Sequence, residues 1–232
     1  MMAKILFVMT GADSWTLKDG SAHPTGFWAE EFVAPYSALR GAGHEIVVAT
    51  PGAVVPTVDQ VSLTPDMAGG EDSAKELTAA IEGADELRNP IDLKDARVTE
   101  FDAVYYPGGH GPLEDLAEDR TSGAILTEAL ASGKPLAVVC HAPAALRATV
   151  GEDGTSPFAG YRVAAFSNEE ERQVGLADKA PWLLQDELIK LGVVYDEGEP
   201  WAPHIVVDRN LYTGQNPASS APLARALIDA LA

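Results

Sequence analysis

Cys140 is the only cysteine in the chain, and His141 follows it directly. The sulfur ends an apolar run, residues 136–140 (LAVVC), that reads as a strand buried on both faces. Beyond it, residues 142–146 (APAAL) switch to small, helix-favouring types, with Pro143 where a first helical turn tolerates it. A thiol between a strand end and a helix start meets unpaired amides and the positive end of a helix dipole, which lower its pKa and raise its thiolate fraction. A tight turn there would lift the side chain clear of the sheet, as in hydrolase nucleophile elbows. Only such a turn lets the adjacent imidazole reach the sulfur, because neighbours on a regular strand point apart. The competing reading is an inert buried thiol, the usual fate of a free cysteine. The neighbouring histidine weighs against it.

A thiolate needs a base, and the base needs an orienting group. His141 is the adjacent base. The acids Glu169, Glu170 and Glu171 follow the next strand end, and one of them could fix the imidazole tautomer; spacing alone does not choose among them. Glu30 and Glu31 lie on an otherwise apolar helical stretch. A carboxyl held there against a thiol would be pushed toward its protonated form and could shuttle a proton. The turn Gly108–Gly109–His110–Gly111 allows close backbone approach, so its N–H groups, with the His141 amide, could face a developing oxyanion. It lacks the spacing of a dinucleotide fingerprint. His23, His44, His110, His141 and His204 show no paired metal-ligand spacing, and no metal is expected.

These groups must be gathered by strands and helices. Lys4–Thr10 and His44–Thr50 read as buried strands around a helix over Thr25–Arg40, capped by Thr25 and traced by Phe27, Phe32, Tyr36 and Leu39. That βαβ unit implies a parallel sheet. Ala12–Pro24 reads as a loop too polar for the core, Pro51–Gly70 as irregular chain, and Glu71–Leu87 as one exposed helix. Phe101–Tyr106 is a third strand leading into the glycine turn. Helical pattern over Ile125–Ala131, closed by Gly133, precedes the Cys140 strand. Tyr161–Phe166, Val193–Tyr195, Ile205–Val207 and Leu211–Thr213 are shorter strands, the last two joined as a hairpin through Asp208–Asn210. A helix over Trp182–Leu191 ends at Gly192, and one over Pro217–Leu231 is capped by Asn216. The alternation predicts a single-domain α/β three-layer sandwich with a mostly parallel central sheet, and reactive groups at the strands' carboxyl ends.

Composition restricts the partners. Sixteen basic against 35 acidic residues give a formal charge of −19, which disfavours nucleic acid and anionic membrane surfaces. A hydrophobic content of 46% over 232 residues suits one good core. One cysteine allows no intramolecular disulfide. No apolar run is long enough to span a bilayer, and residues 5–9 are too short for a secretory leader, so a cytoplasmic protein is expected.

Taken together, residues 25–31 (TGFWAEE), 106–111 (YPGGHG), 139–143 (VCHAP) and 212–219 (YTGQNPAS) resemble the ThiJ/PfpI superfamily along essentially the whole chain. The resemblance is to its glyoxalase III-like branch, which includes heat-shock chaperones. It implies a flavodoxin-like fold, Cys140 as nucleophile, His141 as base, Glu171 as orienting acid and Glu31 as first-helix acid. Gly108, Gly109 and His110 would lie at the substrate and oxyanion position. The implied activity is cofactor-free conversion of methylglyoxal, a small dicarbonyl, to lactate; a homodimer is implied as well. Relatives also carry peptidase, deglycase and chaperone labels. A glutamine amidotransferase plan would instead need a distant histidine followed at +2 by Glu, and His204 is followed by Ile205 and Val206. Cys140 could also serve as an oxidation sensor.

Overall fold

In the computed structural model, which describes residues 2–232, the strand–helix alternation closes into one sheet with helices on both faces. The chain opens with β1 (Lys4–Val8), a small antiparallel hairpin of β2 (Ser14–Thr16) and β3 (Ala22–Pro24), helix α1 (Ala29–Gly41) and β4 (Glu45–Thr50). Helices α2 (Pro65–Ala68), α3 (Glu71–Gly83) and α4 (Asp85–Arg88) lead to β5 (Ile91–Asp92) and β6 (Ala103–Tyr106). Then come α5 (Gly111–Glu114), α6 (Arg120–Ser132), β7 (Leu136–Val139) and 3₁₀ turns over Ala142–Thr149. The last third holds β8 (Arg162–Val163), α7 (Asn168–Gln173), α8 (Leu184–Lys190), β9 (Val194–Tyr195), the hairpin β10 (Ile205–Asp208) and β11 (Leu211–Gly214), and α9 (Ser220–Leu231).

Seven strands form the central sheet in the order β10-β11-β7-β6-β1-β4-β5. Every pairing is parallel except β10 with β11. This is the flavodoxin-like α/β sandwich the sequence implied. The strands buried on both faces, β1, β6 and β7, are the near-continuous apolar runs such a position requires. Helices α1, α3 and α9 pack together on one side, and α6, the 142–149 turns and α8 on the other. The carboxyl ends of β1, β6 and β7 therefore open onto a common edge.

Several local expectations change. Helix α1 starts at Ala29, because Thr25 donates its hydroxyl to Asp59 Oδ2 (2.7 Å) and Phe27 pairs with Val58, keeping residues 25–28 extended. The 12–24 segment is a hairpin whose Trp15 is fully buried, not a polar loop. The exposed helix breaks after Gly83, where Ala84 is extended and buried. The irregular 51–70 stretch carries α2 and short 3₁₀ turns. The strand at Tyr161–Phe166 shortens to β8. Asn216 does not cap a helix: its amide reaches Glu170 and the Ala202 carbonyl, and 3₁₀ turns at Pro217–Ser219 precede α9. No helix among the described residues is long and apolar enough to cross a membrane.

Candidate active site

Strand β7 runs at the centre of the sheet and ends against Cys140, whose φ of +58° places a non-glycine residue in the left-handed region. Its own amide is held by the carbonyl of Gly214 at the end of β11 (2.9 Å), and its carbonyl accepts from Phe166 in the segment after β8 (3.0 Å), so the bend is fixed on both sides. The reversal swings the next side chain back: His141 Nδ1 lies 3.2 Å from Cys140 Sγ. The chain beyond winds into 3₁₀ turns, so no regular α-helix begins at the thiol and the dipole contribution expected from one is reduced.

His141 Nε2 meets Glu171 Oε2 at 2.7 Å. Burial alone would push the Glu171 carboxyl up, but the charge and hydrogen bonds of the two histidines beside it win and hold it well below the usual carboxylate range. An ionised Glu171 only accepts, so His141 Nε2 carries the proton and Nδ1 turns its lone pair to the sulfur. Burial, with His110 next to it, lowers His141 to about 4, so the imidazole is neutral at pH 7. Glu171 also receives His110 Nε2 at 3.0 Å on its other oxygen. The imidazoles of His110 and His141 stand 4.1 Å apart, and His110 is stacked on Trp15.

The three adjacent acids diverge because successive helical residues rotate by about 100°. Glu169 pairs with Arg172 on the surface. Glu170 closes a capping box with Ser167 and is wholly buried, where it also accepts from Gln215, Asn216 and the Trp201 amide. Glu171 faces the histidines. The register of α1 likewise separates Glu30, half-exposed, from Glu31, wholly buried.

Glu31 Oε2 accepts the Gly108 N–H at 2.7 Å, while Oε1 has no hydrogen-bond partner. Burial pushes this carboxyl up to about 8, against the opposing hydrogen-bond influence of Cys140 and Gly108. The thiol is raised as well, by burial first and by the charge of Glu31 second, with the Gly109 amide working the other way. The lowered thiol pKa expected from the sequence is therefore not found in the resting site. Cys140 is 3% exposed, and desolvation outweighs the amides around it.

The glycine turn also differs from expectation. The Gly108 amide is engaged by Glu31 and the His110 ring by Glu171, while the Gly109 amide faces the Cys140 sulfur. A Cβ on Gly108 would come within 2.6 Å of the Val139 carbonyl and 2.8 Å of the His141 nitrogen, and Gly109 has a φ of +89°. Both positions need glycine.

A chamber of about 20 Å³ lies over the thiol between Gly109, His141, Phe166, Val174 and Trp201. His110, His141 and Glu171 offer ligand atoms within 4.8 Å of one another and could hold a metal ion. The histidines' lack of paired spacing in sequence is thus overcome by the fold, although both Nε2 atoms here are already turned to the carboxylate.

Residues 23–230 match the DJ-1/PfpI family model. The chain belongs to the DJ-1/PfpI family. It is 28% identical over 245 residues to the protein/nucleic acid deglycase HchA of Pseudomonas aeruginosa, covering 99% of this chain and 82% of that one. It is 28% identical over 235 residues to glyoxalase 3 of Candida albicans, covering 99% and 98%. The crystal structure of glyoxalase III from Candida albicans superposes with a TM-score of 0.83 at 27% identity, over 99% of this chain and 97% of that one.

In this DJ-1/PfpI protein His204 bonds Asp196 (3.0 Å) and does not line the thiol chamber, so the geometry of an amidotransferase triad is not met. Sequence reasoning missed Trp15, Phe166, Trp201 and the Glu170 hub. The motif at 212–219 held the only signal for the last, since Gln215 and Asn216 are its partners.

Proposed function

We propose that the protein converts methylglyoxal and related 2-oxoaldehydes to 2-hydroxy acids with water as the only co-reactant, using Cys140, His141, Glu171 and Glu31. The observation that carries this is the unbroken chain from Cys140 Sγ through His141 to Glu171, with an unpartnered Glu31 oxygen beside the same sulfur. The likeness to glyoxalase 3 over nearly both full chains supports it.

Sγ adds to the aldehyde carbon as its proton passes to His141 Nδ1, and the resulting alkoxide takes that proton to give a hemithioacetal. The Gly109 and His141 amides face the oxygen while it is charged. Glu31, in the ionised form that becomes populated as the pH approaches about 8, removes the proton from the former aldehyde carbon; through an enediolate the hydroxyl proton on that carbon passes to the ketone oxygen, and Glu31 returns its proton to the adjacent carbon. This internal redox step leaves a 2-hydroxy thioester on Cys140. Water attacks the thioester as its proton passes to His141 Nδ1, that proton goes to the departing sulfur, and lactate is released with the thiol restored.

Lactate formation from methylglyoxal without glutathione is the test. Cys140→Ala should lower kcat/KM by roughly a thousandfold or more, whereas His204→Ala should retain turnover. Loss at His204 with Cys140→Ala still active would overturn the assignment.

The likeness to HchA supports a second reading, in which the same thiol acts on dicarbonyl adducts of amino groups. It requires preformed N-acetylarginine–methylglyoxal adduct to be consumed faster than its spontaneous release of methylglyoxal allows.

A further inference from the structure

The thiol chamber, at about 20 Å³, has room for about one water-sized group. Trp28, His110, Val174 and Trp201 line both this chamber and a second, adjoining cleft of about 540 Å³. Methylglyoxal has five heavy atoms, so once its aldehyde reaches Cys140 most of the outer cleft has nothing to hold.

The walls of that cleft are apolar. Val61, Met67, Val174 and Trp201 are 51%, 38%, 38% and 36% exposed, among the most exposed large hydrophobic side chains of the molecule, and all four converge here. Their convergence on one concave surface is not what scattered surface apolar residues show. Trp28 and Leu176 complete the apolar lining.

The polar groups select further. None of the described residues lining the cleft is a lysine or arginine. His23 is lowered by burial first and by His110 second, and so stays neutral at pH 7. Asp59 lines the cleft as its one acid, its two oxygens accepting from the Thr25 hydroxyl and the Val61 amide, with no lysine or arginine beside it in the lining. A phosphate or carboxylate substituent would lie beside Asp59 with no lysine or arginine in the lining to neutralise it.

We propose that the outer cleft is a substituent subsite, so that the favoured substrate is a 2-oxoaldehyde bearing an uncharged aryl or bulky apolar group. This rests on the glyoxalase reading for its chemistry and adds the substrate class. The aldehyde group enters the thiol chamber, and the substituent lies between Trp28 and Trp201 against Val61 and Met67.

The wild-type protein should turn over phenylglyoxal to mandelate with kcat/KM roughly tenfold or more above that for methylglyoxal, the gain expected from burying a ring where a methyl reaches only the threshold. The 4-carboxyphenyl analogue should lose most of that gain. Val61→Trp fills the cleft from an exposed position and should cut the phenylglyoxal-to-methylglyoxal ratio about tenfold. A wild-type ratio at or below one, an anionic analogue as good as the neutral one, or a ratio that Val61→Trp leaves in place would overturn the subsite. Acetophenone, which has no aldehyde, supplies a readout independent of turnover. It should bind the Cys140→Ala protein saturably and lose affinity several-fold on adding Val61→Trp. If neither dicarbonyl is consumed but acetophenone behaves so, the glyoxalase reading falls and the apolar subsite stands; non-saturable or Val61-insensitive acetophenone binding removes the subsite whatever the enzyme does with methylglyoxal.

Discussion

At the scale of single residues, the site is governed by how few charges it can hold. One carboxylate, Glu171, is shared between two imidazoles, and that sharing fixes both rings. In the proposed mechanism His110 would act through Glu171 as a positioning residue, and its proximity contributes to the low pKa of His141. Replacing it with phenylalanine keeps a ring against Trp15 but removes the hydrogen bond to Glu171. One cause of lowering then disappears, so His141 rises from about 4 and the acid limb of the kcat/KM profile moves to higher pH. The loss in kcat should be roughly tenfold, the scale seen when a partner behind a working histidine is removed. Rate profiles of wild type and His110→Phe between pH 3.5 and 7 check this; an unmoved acid limb would leave His110 with a packing role only.

At the scale of elements, the question is what holds a strained bend open to a substrate. The amide of Cys140 is tied to the end of β11 and its carbonyl to Phe166, and the glycine turn after β6 lies against it with no space for a side chain. Gly108→Ala should therefore disturb the thiol, Glu31 and the His141 amide together. The overpacking should destabilise the fold by about 1–3 kcal/mol and remove most turnover. Gly133→Ala is the comparison, since a Cβ there meets nothing within 4 Å and only its φ of +75° is strained. Its effect should stay near 1 kcal/mol with turnover retained. Thermal melts and methylglyoxal turnover of both variants separate crowding at the site from backbone strain.

The same scale explains what could be read from the chain in advance. β1, β6 and β7 are apolar without interruption and were legible, as were Cys140, His141 and the glycine turn, because local residue type decides them. Glu171 and Glu31 could be placed only by likeness to a family, since choosing among adjacent acids requires knowing which helical face meets the sheet edge. Trp15 and Thr25 misled because their partners, His110 and Asp59, lie 95 and 34 positions away in the chain. The direction of the thiol shift misled too. Sequence shows the amides near a sulfur, but not how completely water is excluded from it.

At the scale of the whole molecule, the buried ionisable groups of the site tie global stability to pH. Burial holds Glu31 at about 8 in the folded protein against 4.5 for an ordinary glutamate. Between those values the folded chain keeps a proton that the unfolded chain releases, so the contribution of protonated Glu31 is complete below about 4.5 and is lost as the pH climbs to about 8. His141 works oppositely: it is neutral in the fold down to about 4 while an ordinary histidine protonates at 6.5, so its contribution is complete above 6.5 and is lost as the pH falls toward 4. The two slopes oppose one another between 4.5 and 6.5, and Glu31 acts without that opposition between 6.5 and 8. Over this interval the unfolding free energy should fall by about 2 kcal/mol, one proton at roughly 1.4 kcal/mol per pH unit. Glu31→Gln keeps an oxygen for the Gly108 amide and removes the titrating proton, so its urea-unfolding free energy should be flat across the same interval and exceed that of the wild type at pH 8. A slope that survives in Glu31→Gln would place the retained proton on another group and would remove the ground for a Glu31 that ionises only toward pH 8.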